Sequence, residues 1–177
     1  MTHHKVYQTE GIILGKKDFG EADRMFSIYT KEFGMINAIA QGVRFLKSKL
    51  RYNLDTFSIC RAGLIKGRDF WRIVDAEEIL PAPNISDNEK FSLIIKISKL
   101  IKRMVRGEEK NDLLWKTIRD FFVFLKEKNF KNDDMEKTEI STVLDILYSL
   151  GYVDKHSHLS KKDAIITINR ALKESHL

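Results

Sequence analysis

A chain of 177 residues with 43% hydrophobic side chains suits one large domain or two small ones with packed cores, and excludes a disordered chain. Lys plus Arg outnumber Asp plus Glu by 31 to 25, and the net charge of +6 permits a polyanionic partner without demanding one. The single cysteine, Cys60, excludes an internal disulfide and a cysteine-cluster zinc site and fits a reducing cytoplasm; no apolar run reaches bilayer length, and the N-terminus shows no signal-peptide apolar region.

Residues 6–80 read mostly as β. Residues 6–14, rich in Val, Tyr, Thr and Ile, predict a strand, with Gly11 marking a bulge or bend. Lys16-Lys17-Asp18-Phe19-Gly20 reads as a turn. Residues 24–30 alternate with Phe26, Ile28 and Thr30 on one face, and residues 35–40 with Ile36, Ala38 and Ala40. Gly34, in the short connection between them, is free to take positive φ. Residues 57–65 and 70–79 give two more strands around a hairpin turn at Lys66-Gly67-Arg68-Asp69. Five strands with a long third-to-fourth connection point to an oligonucleotide-binding (OB) barrel, although an SH3-like barrel fits the strand count as well.

Pro81 and Pro83, the only prolines, mark where period two gives way to period 3.6. The expected fold is therefore α+β and multidomain: a five-stranded OB-fold barrel over residues 1–80, then an all-α domain over residues 81–177. The first helix opens at a Ser86-x-x-Glu89 capping box and ends at Gly107. Asn111 or Asp112 caps a second, residues 129–134 read as a polar turn, a third covers about residues 136–150 up to Gly151, and Ser160 with Asp163 caps the last.

No catalytic constellation stands out, so an enzyme is disfavoured. There is no glycine-rich phosphate loop, no His-Glu-x-x-His and no serine in a nucleophile-elbow setting. Asp133-Asp134 reads as solvated surface, and a loop pair such as His156 and His158 without further ligands rarely holds a metal. Cys60 reads as a core filler.

The basic content is better organised. Residues 42–51 carry Arg44, Lys47, Lys49 and Arg51 with no acid, and Phe45, Leu46 and Leu50 between them; a lone run of this kind is usually just a solvated loop. From Arg44 to Arg72 the further cations are Arg61, Lys66 and Arg68, against only Asp55 and Asp69 as acids. In an OB barrel the β1–β2 and β4–β5 loops flank the ligand face, and single strands are held by a cationic groove with aromatic platforms. Arg24, Arg44, Phe45, Lys47, Lys49, Arg51, Lys66, Arg68 and Arg72 are thus the candidate nucleic-acid contacts. Lys16 and Lys17 extend the patch, diluted by Asp18, Glu21 and Asp23. Phe45 and Phe70 are candidates for stacking, whereas Trp71, alternating with Arg72, reads as core. The aromatics of the second helix, Trp115, Phe121, Phe122 and Phe124, read as bundle core; any groove left beside them would seat the apolar end of a peptide, with Lys116, Arg119 or Lys126 facing its carboxylates.

Several of these stretches resemble the N-terminal signature of bacterial RecO recombination-repair proteins: Glu10-Gly11-Ile12-Ile13-Leu14, Asp18-Phe19-Gly20-Glu21-Ala22-Asp23-Arg24, residues 34–42, and Lys47-Ser48-Lys49-Leu50. Glu77-Glu78-Ile79-Leu80 and the Leu-Gly-Tyr ending at Tyr152 continue the likeness more loosely. The resemblance implies an OB-fold domain joined to helices, binding of single- and double-stranded DNA, annealing of complementary strands, and help in loading RecA onto strands coated with single-strand-binding protein. It implies RecR, the acidic tail of single-strand-binding protein, DNA and, indirectly, RecA as partners, a cytoplasmic, nucleoid-associated place, and neither nucleotide hydrolysis nor a cofactor. Many such proteins carry a four-cysteine zinc module after the Leu-Gly-Tyr segment; residues 153–161 hold no cysteine, so the chain looks like a short, zinc-free member. The competing readings are an OB-fold protein-interaction adaptor and an RNA-binding protein without annealing activity.

Overall fold

Strand β1 (Val6–Phe19) is long enough to serve two neighbours. Its first half pairs antiparallel with β4 (Ile59–Lys66) and its second half with β2 (Asp23–Thr30), and the changeover falls at Gly11, opposite both Cys60 and Thr30. A Cβ on Gly11 would stand 2.6 Å from the Ile28 side chain, so only glycine lets the strand pass here. The register slips a little later, between Ile13 and Gly15, as a bulge that adds to the bend. β2 pairs with β3 (Gly34–Ala40), β3 pairs parallel with β5 (Trp71–Leu80) at Ala38 and Ile39, and β5 pairs with β4. The result is a closed barrel in the order β1-β2-β3-β5-β4, an OB fold. Its core holds Phe26, Ile28, Ile36, Leu64, Trp71 and Ile73 among others.

The computed structural model describes residues 5–83, 87–127, 132–154 (side chains from 135) and 159–175. The chain divides into two compact units: Met1–Pro83 together with Arg106–Lys110, and Asn84–Val105 together with Asn111–Leu177. The second unit has four helices, α1 (Asn88–Met104), α2 (Asp112–Glu127), α3 (Asn132–Ser149) and α4 (Lys161–Glu174). Asp87, Asn111 and Ser160 accept hydrogen bonds from the amides of Lys90, Leu114 and Asp163, which relieves orphan donors at three helix starts. Trp115, Phe121 and Phe122 are buried, and Met104, Leu147 and Ala171 form a second cluster of the unit. No helix among the described residues is long and apolar enough to cross a membrane.

Several boundaries differ from those read in the sequence. Residues 16–19 continue β1 rather than turning, because the Lys16–Phe19 backbone stays laddered to Asp23–Phe26. The turn comes later, at Gly20 with φ 63°. Ser86 lies outside the described residues, and α1 is capped by Asp87. That helix stops at Met104, before Gly107. α3 starts at Asn132, within the stretch read as a polar turn. His3, His4, His156 and His158 and the side chains of Asp133 and Asp134 lie outside the described residues.

The return of Arg106–Lys110 to the barrel has a clear cause. Only Ala38 and Ile39 of β3 pair with β5, which leaves the start of that strand an open edge. The connection lies along this edge: Met35 N donates to Gly107 O at 3.2 Å, and Lys110 pairs with Glu32 at 3.2 Å. Gly34, at φ 61°, lets the Glu109 backbone approach to where a Cβ would be 2.3 Å from its carbonyl oxygen.

Candidate nucleic-acid interface

The end of β1 and the start of β2 carry the first group of charges. Asp18 accepts from Arg24 Nε at 2.9 Å and faces Arg44 Nη2 at 3.6 Å. The Arg24 hydrogen bond is the main reason the Asp18 carboxyl lies below its usual range, and the nearby Arg44 charge adds to it. Two guanidinium groups thus share one carboxylate. Arg44 is brought here by backbone ties: its amide donates to Ala22 O at 3.0 Å, and Gly42 N donates to Asp23 Oδ1 at 2.8 Å.

The β4–β5 hairpin carries the second group. Gly67 N donates to Phe70 O at 3.1 Å, closing the turn. Beside it lies a cleft of about 370 Å³, whose lining includes Ile39, Gln41, Lys66, Arg68, Phe70 and Arg72. Lys66 Nζ and Trp71 Nε1 each donate to Glu108 at 2.8 Å, one to each carboxylate oxygen. The Lys66 hydrogen bond, helped by that of Trp71, holds the Glu108 carboxyl below its usual value against the opposing effect of burial. Among the described residues Arg68 pairs only with its neighbour Asp69, at 3.7 Å and exposed. Arg72 makes no ion pair among the described residues. Trp71 is 3% exposed, in the core as its alternation predicts.

Residues 41–58 carry the third group. Lys47, Lys49 and Arg51 are exposed and make no ion pair among the described residues. Phe45, Leu46 and Tyr52 are exposed beside them. The segment is not a loose tether: Val43 and Leu54 are buried in the barrel core with Leu50 packed against it, and a short 3₁₀ helix spans Lys49–Tyr52. Its cations are therefore held out from an anchored ridge.

One contact links the first two groups. The rings of Phe19, at the end of β1, and Phe70, in the hairpin, meet edge to face with centroids 6.3 Å apart. Phe19 is absent from the sequence-derived candidates because its neighbours Lys16, Lys17 and Asp18 disguise a strand end as a turn. Four of the expected contacts, Arg24, Arg44, Lys66 and Arg68, are already engaged by carboxylates. Such exposed pairs contribute about 0–1 kcal/mol each, so a phosphate can compete for them.

In the helical unit a groove of about 450 Å³ lies between α2 and α3, bordered by Leu113, Lys116, Phe121 and Phe124. Asp120 and Asp145 also border it, while Arg119 and Lys126 do not. Among the described residues no group of three or more His, Cys, Asp or Glu is placed to hold a metal. Cys60 is fully buried, and burial pushes its thiol up to about 12 with a further push from Glu78.

Residues 1–80 match the family described as Recombination protein O N terminal. Curated relatives agree. A DNA repair protein RecO of Gloeothece citriformis is 30% identical over 125 residues, covering 70% of this chain and 44% of that protein. One of Trichodesmium erythraeum is 29% identical over 141 residues, covering 79% and 49%, and one of Synechocystis is 38% identical over 84 residues, covering 48% and 31%. The chain thus spans about half or less of the length of these relatives. The barrel topology and the match over its whole length agree, and through them the chain belongs to the RecO family.

Proposed function

We propose that this chain is a nonenzymatic DNA repair and recombination mediator whose barrel binds single- and double-stranded DNA. The observation that carries the reading is the placement of cations and half-exposed aromatics around the β1–β2 turn, the β4–β5 hairpin and the anchored 41–58 ridge. In OB folds, oligonucleotides dock beside the first two of these features. Contacts to phosphate carry no sequence information, so binding is insensitive to sequence and steeply salt-dependent. Neutralising two strands on one basic surface lowers their mutual repulsion and allows complementary bases to meet, which is the annealing step. Loading of RecA onto strands coated with single-strand-binding protein, and contacts with RecR and with the acidic tail of single-strand-binding protein, are part of the same proposal, as the resemblance to RecO proteins implies.

The test is a gel shift with single-stranded DNA, duplex DNA and RNA, using the wild type and a Lys47→Ala/Lys49→Ala/Arg51→Ala variant. Tight DNA binding weakened in the variant supports the reading. A strong preference for RNA points to an RNA-binding protein, and absence of nucleic-acid binding points to a protein-interaction adaptor.

A further inference from the structure

We infer that Phe19 and Phe70 form a stacking platform for an unpaired nucleobase, which gives the barrel a preference for single strands that its cations alone cannot supply. The inference rests on the nucleic-acid reading above and goes beyond it by naming the chemistry that distinguishes strand from duplex.

The two rings come from residues 51 positions apart, yet they meet edge to face with centroids 6.3 Å apart. Neither is a core residue: Phe19 is 42% and Phe70 40% exposed. One exposed phenylalanine is unremarkable on any surface, but two in contact present a continuous apolar patch. That patch lies where the β1–β2 and β4–β5 connections of this barrel approach each other. Lys66, Arg68 and Arg72 line the same cleft as Phe70, and Asp18, next to Phe19 in the chain, holds Arg24 and Arg44 at this end of the strand. An apolar face beside positive groups matches a nucleotide strand, whose bases are flat and apolar and whose linkages are anionic.

A duplex cannot use the platform, because its base faces are already covered by their neighbours in the stack. A strand held by its base faces keeps its pairing edges open to a complement. Once pairing restacks the bases, the platform loses its hold, so duplex product is released more readily than the strand is captured.

The experiment compares binding of the full chain to a labelled oligothymidylate, an abasic strand of equal length and a duplex, by fluorescence anisotropy at one salt concentration. The platform predicts that the wild type binds the thymidylate strand about fivefold to a hundredfold more tightly than the abasic strand, the range expected for one stacked base. It predicts that Phe19→Ala/Phe70→Ala and the milder Phe19→Leu/Phe70→Leu lose that preference and bind the duplex as the wild type does. Equal wild-type affinity for thymidylate and abasic strands overturns the platform and leaves the phosphate-binding function standing, and this comparison needs no variant to fold. Retention of the base preference by the folded leucine variant overturns it too. Failure of the wild type to bind any of the three polyanions overturns the function itself and the platform with it.

Discussion

Glu108 is read in the sequence as one residue of a helix connection, and in the structure it closes the seam beside Trp71. Replacing it with alanine removes two hydrogen bonds of 2.8 Å. The two are unequal. Trp71 is 3% exposed, so its indole N–H is left without a partner away from water, at a cost of about 1–3 kcal/mol. Lys66 has a side chain 58% exposed and regains water, so its ion pair contributes about 1 kcal/mol at most. Glu108→Ala therefore destabilises by about 1–4 kcal/mol, and Lys66→Ala by about 1 kcal/mol or less. Glu108→Gln falls between them, because its carbonyl oxygen still accepts from the indole. The assay is urea unfolding followed by tryptophan fluorescence, with Trp71→Phe separating the barrel signal from that of Trp115. The pH dependence gives a second check. The folded Glu108 pKa lies below its ordinary 4.5, so the carboxylate's contribution is complete above that value and fades as pH falls further below it. The gap between wild type and Glu108→Ala narrows accordingly in acid. A Glu108→Ala protein as stable as wild type at neutral pH, or a Lys66→Ala protein that loses more than Glu108→Ala, refutes the reasoning.

Three further outcomes follow from the same geometry. Gly34→Ala forces a side chain into a left-handed position at φ 61° and against the Glu109 backbone, whereas Gly20→Ala meets nothing within 4 Å at φ 63°. Urea midpoints show Gly20→Ala losing about 1–2 kcal/mol and Gly34→Ala distinctly more. Cys60 is fully buried with its thiol pushed up to about 12, so a thiol reagent at pH 8 leaves the folded protein unmodified and titrates one group in denaturant. Glu108→Gln frees Lys66 for phosphate, and its affinity for single-stranded DNA rises by up to about fivefold at low salt, an effect lost at high salt.

The barrel was legible because its alternation is strong where one face is buried. Phe26, Ile28, Ile36, Ala38 and Ala40 all point inward as their spacing predicts. Legibility fails where both faces of a strand are solvated. Lys16, Lys17 and Asp18 carry polar side chains while their backbones remain paired with β2, so polarity misplaces the turn and hides Phe19. The 41–58 segment shows the converse. Val43, Leu50 and Leu54 anchor it at irregular intervals, and no period marks them as core. Glu108 could not be found from sequence, because its partners Lys66 and Trp71 lie 42 and 37 residues away and no local pattern links them. The candidate cations were legible as a composition, but among the described residues their division into carboxylate-bound Arg24, Arg44, Lys66 and Arg68 and unpaired Lys47, Lys49, Arg51 and Arg72 depends on side-chain geometry, which brings Asp18 to both Arg24 and Arg44, Glu108 to Lys66 and the adjacent Asp69 to Arg68.

The salt dependence of single-strand binding tests the account most directly. If Lys47, Lys49, Arg51 and Arg72 all meet phosphate, the logarithm of the association constant falls against the logarithm of salt concentration with a slope of roughly −3 or steeper. Replacing Lys47, Lys49 and Arg51 with alanine flattens that slope by about 2 and weakens binding most at low salt. A wild-type slope near zero, or a triple variant with an unchanged slope, contradicts the claim that this barrel holds nucleic acid through its phosphates.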